Sequence, residues 1–152
     1  MDLRFTVSAH IARPVHDVFE AVADPGQLSA YFTTGGAKGR LEQGATVTWD
    51  FHDFPGAFPV EVLEAVPDSR IVLAWDGHPG GGPEGYKTRI TMTFTPLDDD
   101  TRTLVRITEE GWSANQAGLD ASYGNCMGWS QMLAALKMWV EHRINLREGM
   151  YK

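Results

Sequence analysis

SANQAGLDASYGNCMGWSQMLAALKMWVEHRINLR, residues 113–147, carries the one long helical period of the chain. Placed about 100° apart, Trp129, Met132, Leu133, Leu136, Trp139, Val140 and Ile144 fall within one broad arc. Cys126 falls on it too, whereas Gln131, Ala134, Met138, Glu141, His142 and Asn145 lie away from it. Ser113 and Gln116 stand at the N-cap and N3 spacing of a capping box, so the pattern predicts a helix from there to about Arg147. Gly124 and Gly128 go against this, since each costs about 1 kcal/mol relative to Ala inside a helix. They are four apart and share a side at the edge of the apolar arc. Either a strand, a ligand or a partner helix comes close to the backbone there, or the helix start is irregular.

Ahead of this segment the period is two. Leu3, Phe5, Val7, Ala9 and Ile11 alternate with Arg4, Thr6, Ser8 and His10, which predicts a half-buried strand. Pro14 reads as a first helical position, with Val15, Val18, Phe19 and Val22 following at helical spacing. Asp24-Pro25 signals a second short helix that carries Leu28 and ends near Tyr31-Phe32. Residues 33–39 read as a loop, and 52–59, with two prolines and a glycine, as a turn. Between and beyond them, Val47-Trp49-Phe51, Phe58-Val60-Val62, Ile71-Leu73-Trp75, Ile90-Met92-Phe94 and Val105-Ile107 are the inward sets of successive strands. Pro96 to Thr101, with its three aspartates, reads as a hairpin tip.

The predicted class is α+β: a curved antiparallel sheet of about seven strands wrapped around one long C-terminal helix, with two short helices after the first strand. A chain of 152 residues fits a single domain. A sheet that curls around one rod leaves a wedge of space between them, and the aromatic residues, 11% of the chain, point into it. Concave, mostly apolar space with a few polar groups is where small molecules bind. The net charge of −7 argues against nucleic acid and anionic membrane as partners. No run is long and apolar enough to span a membrane, and the alternating N-terminus predicts no signal peptide. A single cysteine, Cys126, fits a reducing cytoplasm.

Ala12-Arg13-Pro14-Val15-His16-Asp17-Val18-Phe19, followed by Leu28-Ser29-Ala30-Tyr31-Phe32, resembles the opening of START/Bet v 1-like (SRPBCC) domains. Tyr31 stands where that family usually has Trp. Glu109-Glu110-Gly111-Trp112 and Gly128-Trp129-Ser130-Gln131-Met132-Leu133-Ala134-Ala135-Leu136-Lys137 resemble signatures of the branch similar to the C-terminal domain of the heat-shock-protein-90 ATPase activator. The resemblance covers essentially the whole chain and implies a helix-grip fold. It also implies hydrophobic ligand binding or cyclase activity; no cofactor is expected. The chain is expected to lack the extra N-terminal domain of the eukaryotic activator.

The histidines form no HxH or HExxH pattern and the chain has no CxxC, so no metal site is predicted. His52 beside Asp50 and Asp53 is the best acid–base candidate. His10 and His142 read as surface residues, Cys126 as a buried inert thiol, and Gly80-Gly81-Gly82 as a hairpin tip rather than a phosphate loop. Glu109 continues the inward alternation of Val105 and Ile107, either into the wedge beside Trp112 or past the strand end into water. The reading is therefore a non-catalytic binder of a small hydrophobic molecule. Its predicted walls are Phe32, Trp49, Phe51, Val60, Trp75, Met92, Phe94, Ile107, Glu109, Trp112, Trp129, Met132 and Leu136. The alternatives are a cyclase- or hydrolase-type enzyme using Glu109 or His52, and a co-chaperone-like contact module. For the latter, Tyr123, Ala134 and Met138 would form an exposed stripe suited to a homodimer.

Overall fold

A computed structural model describes residues 1–77 and 86–152. His78 and Gly80 to Gly82 lie outside the described residues. The elements run β1 (Leu3–Ile11), α1 (Val15–Ala23), α2 (Pro25–Tyr31), β2 (Gly36–Lys38), β3 (Thr46–Phe51), β4 (Phe54–Val66), β5 (Arg70–Asp76), β6 (Lys87–Leu97), β7 (Arg102–Trp112) and α3 (Gln116–His142). The described strands make one curved antiparallel sheet in the order β1-β7-β6-β5-β4-β3-β2. α1 and α2 carry the chain from β1 at one edge to β2 at the other.

α3 packs against β1 and β7 and meets α1 and α2. Of its predicted arc, Trp129, Met132, Leu133, Leu136 and Val140 are buried and Trp139 and Cys126 half-buried, whereas Ile144 lies beyond the helix end and is exposed. Met132 and Leu136 are 2% and 0% exposed, and burial of each stabilises the fold by roughly 1.5–3 kcal/mol. Opposite them stand the inward residues of the strands, such as Ile71, Leu73, Ile90, Met92 and Ile107.

Local details depart from what spacing alone predicts, each for a physical reason. α3 is capped by Asn115, whose Oδ1 accepts from Gly118 N at 2.8 Å, and not by Ser113. The Ser113 carbonyl instead lies so close to Gly118 that a Cβ there would meet it at 1.9 Å. The helix stops at His142 rather than running to Arg147, with Arg143 turning left-handed at φ 58°. Arg147 is thereby freed to turn back toward the sheet. Pro14 is the N-cap of α1 and has no side chain to cap with; Asp100 at the β6–β7 tip supplies the acceptor, taking Val15 N at 2.8 Å. The loop 33–39 contains β2, paired with β3. The turn predicted over 52–59 is confined to His52-Asp53, and β4 begins at Phe54. Pro55 and Pro59 are tolerated because pairing with β5 starts only at Glu61, so they remove no hydrogen bond from that ladder.

Near the end of β7 the sequence does something that alternation hides. Glu109 and Trp112 are three apart and should face opposite sides. Gly111, at φ +105°, is an extra residue against β1, where the register slips between Leu3 and Arg4. This bulge brings Trp112 back to the inner side, where it stacks on Phe5 at 5.5 Å.

Candidate functional site

Glu109 is fully buried within β7, paired with Phe5 of β1 and Ile90 of β6. A position past the strand end in water is thereby ruled out. Its Oε1 accepts from the Trp129 indole N–H at 2.8 Å, and its Oε2 from the Trp75 indole N–H at 2.9 Å and the Thr88 hydroxyl at 2.7 Å. Asn125 Nδ2 stands 3.1 Å from both oxygens. Indole and amide N–H groups can only donate, which matches an acceptor-only carboxylate. No cation among the described residues pairs with it. A buried charge is costly, and four side-chain donors are what makes this one tolerable.

The two indoles held by that carboxylate stack on each other with centroids 5.5 Å apart. Phe32 packs on Trp129, and Trp49 meets Trp75 edge-on. This aromatic layer fills the inner part of the wedge, and two cavities adjoin it. The first, of about 610 Å³, is lined by Phe58, Pro59, Trp75, Asp76, Gly77, Thr88, Trp112, Asp120, Ala121, Gly124 and Asn125. The second, of about 380 Å³, is lined by Phe32, Phe51, Phe54, Trp75, Gly124, Asn125, Met127, Gly128, Trp129, Met132, Arg147 and Tyr151. Trp75, Gly124 and Asn125 belong to both, so the cavities share a wall.

The predicted site residues separate into groups. Phe32, Phe51, Trp75, Trp112, Trp129 and Met132 line one or both cavities. Trp49, Val60, Met92, Phe94, Ile107 and Leu136 are placed in the packed core and line neither. Glu109 lies behind the wall and fixes the orientation of Trp75, Thr88, Asn125 and Trp129. Beyond the adjoining backbone of α3 itself, a Cβ at Gly124 or Gly128 would meet no described heavy atom within 4 Å. Their missing side chains are cavity space.

Thr88, Asn125 and Arg147 are among the lining residues that lie outside the predicted set. Thr88 was legible, lying two residues before Ile90 on the same face of β6. Asn125 was legible as well, one helical turn before Trp129. Arg147 was not, because it sits outside any periodic element. Its guanidinium is bidentate to Asp53 at 2.6 and 2.9 Å, and both side chains are buried. It also covers the Tyr151 ring at 4.5 Å and the Phe51 ring at 5.5 Å. Tyr151 meets Phe54 edge-on and its hydroxyl bonds to Gln131. The C-terminal tail is thus strapped across the second cavity. Bonding to the Arg147 guanidinium holds the Asp53 carboxyl below the usual carboxylate range, despite its burial.

That pairing dissolves the acid–base candidate at His52. Asp53 turns to Arg147, Asp50 accepts from Gly56 N at 3.0 Å, and His52 is exposed. Cys126 is half-buried and free rather than fully buried. Tyr123 and Ala134 are exposed on the outer side of α3, while Met138 is half-buried. Among the described residues no group of three or more His, Cys, Asp or Glu is arranged to hold a metal ion. No described helix is long and apolar enough to cross a membrane.

A family model described as Activator of Hsp90 ATPase homolog 1-like protein matches residues 12–141. A comparison with curated proteins found no match. Among solved structures, protein SSP2350 from Staphylococcus saprophyticus superposes with a TM-score of 0.76 at 21% identity, over 95% of this chain and 96% of that one. Protein MLL2253 from Mesorhizobium loti gives 0.75 at 20% identity, over 95% and 100%. The solution structure of the Aha1 dimer from Colwellia psychrerythraea gives 0.70 at 20%, over 92% and 97%. At these identities the likeness is one of fold.

Proposed function

We propose, taking as premise that the chain belongs to the Activator of Hsp90 ATPase homolog 1-like family, that it binds a small hydrophobic molecule without transforming it. The supporting observation is the pair of adjoining cavities walled by Trp75, Trp112, Trp129, Phe32 and Phe51 at the mouth of the wedge. Their apolar lining would supply the affinity at about 25 cal/mol per Å² buried, and the few polar groups the orientation. Against an enzyme of the cyclase or hydrolase type stands the occupancy of Glu109: its oxygens already accept from four side chains, and His52 has lost its carboxylate partner. We place the protein in the cytoplasm, as its lone thiol has no internal partner.

Anthracen-9-ylmethanol, a neutral probe small enough for either cavity, tests the reading. Titration should quench tryptophan emission and transfer energy to the probe, saturating at one site in the micromolar range. A response that never saturates would sink it. The Colwellia relative is described as a dimer, and the exposed Tyr123 and Ala134 are the face on which we propose that this chain pairs with a second copy. Light scattering showing a monomer at all concentrations would remove that reading.

A further inference from the structure

We propose that the larger cavity receives the protonated amino group of an apolar amine, a refinement that rests on the ligand-binding reading above. Glu109 consumes much of the wall's donor capacity. It takes the only hydroxyl proton of Thr88, the indole N–H of Trp75 and an N–H of Asn125, all of which line this cavity. A hydroxyl that donates inward has only lone pairs left to offer outward. An amide whose nitrogen must face a carboxylate turns its oxygen away from it. Thr88 Oγ1, in a side chain almost fully buried, and Asn125 Oδ1, turned away from Glu109, are therefore left as acceptors in two residues that line the cavity.

The remaining polar side chains of the lining are Asp76 and Asp120, both exposed. Asp76 is ion-paired with Lys87 Nζ at 3.1 Å, so its charge is already met; Asp120 accepts only from the neutral Gln116 Nε2 at 2.8 Å through Oδ1, so its charge and its second oxygen can turn to a ligand. Opposing donors are few: the second N–H of Asn125 and the indole N–H of Trp112. No Lys, Arg or His is among the described lining residues. Trp75, Trp112 and Phe58 add ring faces, which attract a cation and not an anion. Behind them stands the buried Glu109 carboxylate, with no cationic partner among the described residues. A lining of acceptors, carboxylates and aromatic faces selects a donor that carries positive charge. The smaller cavity differs, since its one described cation, Arg147, is neutralised by Asp53; it suits the uncharged part of the same molecule.

Three probes with one ring system separate the possibilities: 9-(aminomethyl)anthracene, anthracen-9-ylmethanol and anthracene-9-carboxylate, titrated at pH 7 in physiological salt by energy transfer from tryptophan. The amine should bind at least tenfold more tightly than the alcohol, and the carboxylate at least tenfold more weakly. Asp120→Asn should weaken the amine threefold or more and leave the alcohol unchanged. Asp17→Asn makes the same charge change on exposed α1, away from the cavity, and should alter neither. If the alcohol binds and the amine binds no better, the amine assignment is overturned while the hydrophobic site stands. The amine assignment also falls if Asp17→Asn weakens the amine as much as Asp120→Asn, because net charge would then be the cause. If none of the three binds saturably, the ligand-binding reading itself fails.

Discussion

Replacing Glu109 by Gln is the sharpest test of how this site is built. The two side chains have the same shape, so packing is untouched and only the hydrogen-bond chemistry changes. A carboxylate offers acceptors on both oxygens; the amide offers one oxygen and an NH2 group. If the NH2 takes the Oε2 place, Thr88 can rotate to accept from it, but the Trp75 N–H, now 2.9 Å from an acceptor, is left facing a donor. If it takes the Oε1 place, Asn125 can reverse its amide, and the Trp129 N–H is stranded in the same way. One buried indole donor therefore loses its partner in either orientation, at a cost of about 1–3 kcal/mol. The bonds that survive lose their charge assistance, about 1 kcal/mol each, while relief from burying a charge offsets part of the sum. The net expectation is a loss of about 2 kcal/mol, or roughly 4–8 °C in Tm for a chain of this size. Urea unfolding at pH 7, followed by far-UV circular dichroism and by tryptophan emission, measures it. Glu109→Leu, which strands both indoles together with Thr88 and Asn125, should cost distinctly more. Stability within about 0.5 kcal/mol of the parent in Glu109→Gln, the range of an ordinary surface substitution, with an unchanged emission spectrum, would refute the claim that this carboxylate organises the wall.

The other expectations concern the helix and the strap. Gly124→Leu places a side chain where, beyond the adjoining backbone of α3 itself, nothing described lies within 4 Å of the Cβ, so urea titration should find stability unchanged or raised by up to about 1 kcal/mol. The same variant should weaken the anthracene alcohol more than tenfold, because Gly124 lines both cavities. Arg147 bonds to Asp53 and lowers its folded-state pKa, so the pair's stability is complete above the unfolded carboxylate value of about 4 and is lost as pH falls through the lower folded value. Asp53→Asn should accordingly flatten the acid limb of the stability–pH curve below about pH 4, while costing stability at neutral pH. Arg147→Met leaves Asp53 buried without its partner and should cost about 3–5 kcal/mol at pH 7. Adding Asp53→Asn to it should recover a good part of that loss in the same unfolding assay; no recovery would mean that Arg147 acts through Phe51 and Tyr151 alone.

The architecture was legible because two periods do not overlap. Alternation placed Ile71, Ile90 and Ile107 on one side of their strands, and a 3.6-residue repeat placed Trp129, Met132 and Leu136 on one side of a helix, so only their mutual burial remained to be inferred. Errors cluster where a distant residue supplies what local spacing was expected to supply. Ser113 had the capping-box spacing, yet Asn115 took the position, its Oδ1 accepting from Gly118 N. Asp100 caps α1 from 85 positions away, and no window around Pro14 contains that fact. The helix lacked a stop signal before Arg147; it ends at His142, and the bidentate pairing of Arg147 with Asp53 lies beyond that end. The site divides along the same line. Trp75 and Trp129 could be aimed inward from pattern alone, and so could Glu109. That one carboxylate takes a proton donor from each of β5, β6 and α3 could not, since it depends on three elements converging within 3.1 Å of two oxygens. Periodicity tells which residues face the hollow; it does not tell which of their donors and acceptors are already spent. In this chain the second fact bears on the chemistry of the cavity, because Trp75, Thr88 and Asn125 line it and turn donors inward to Glu109.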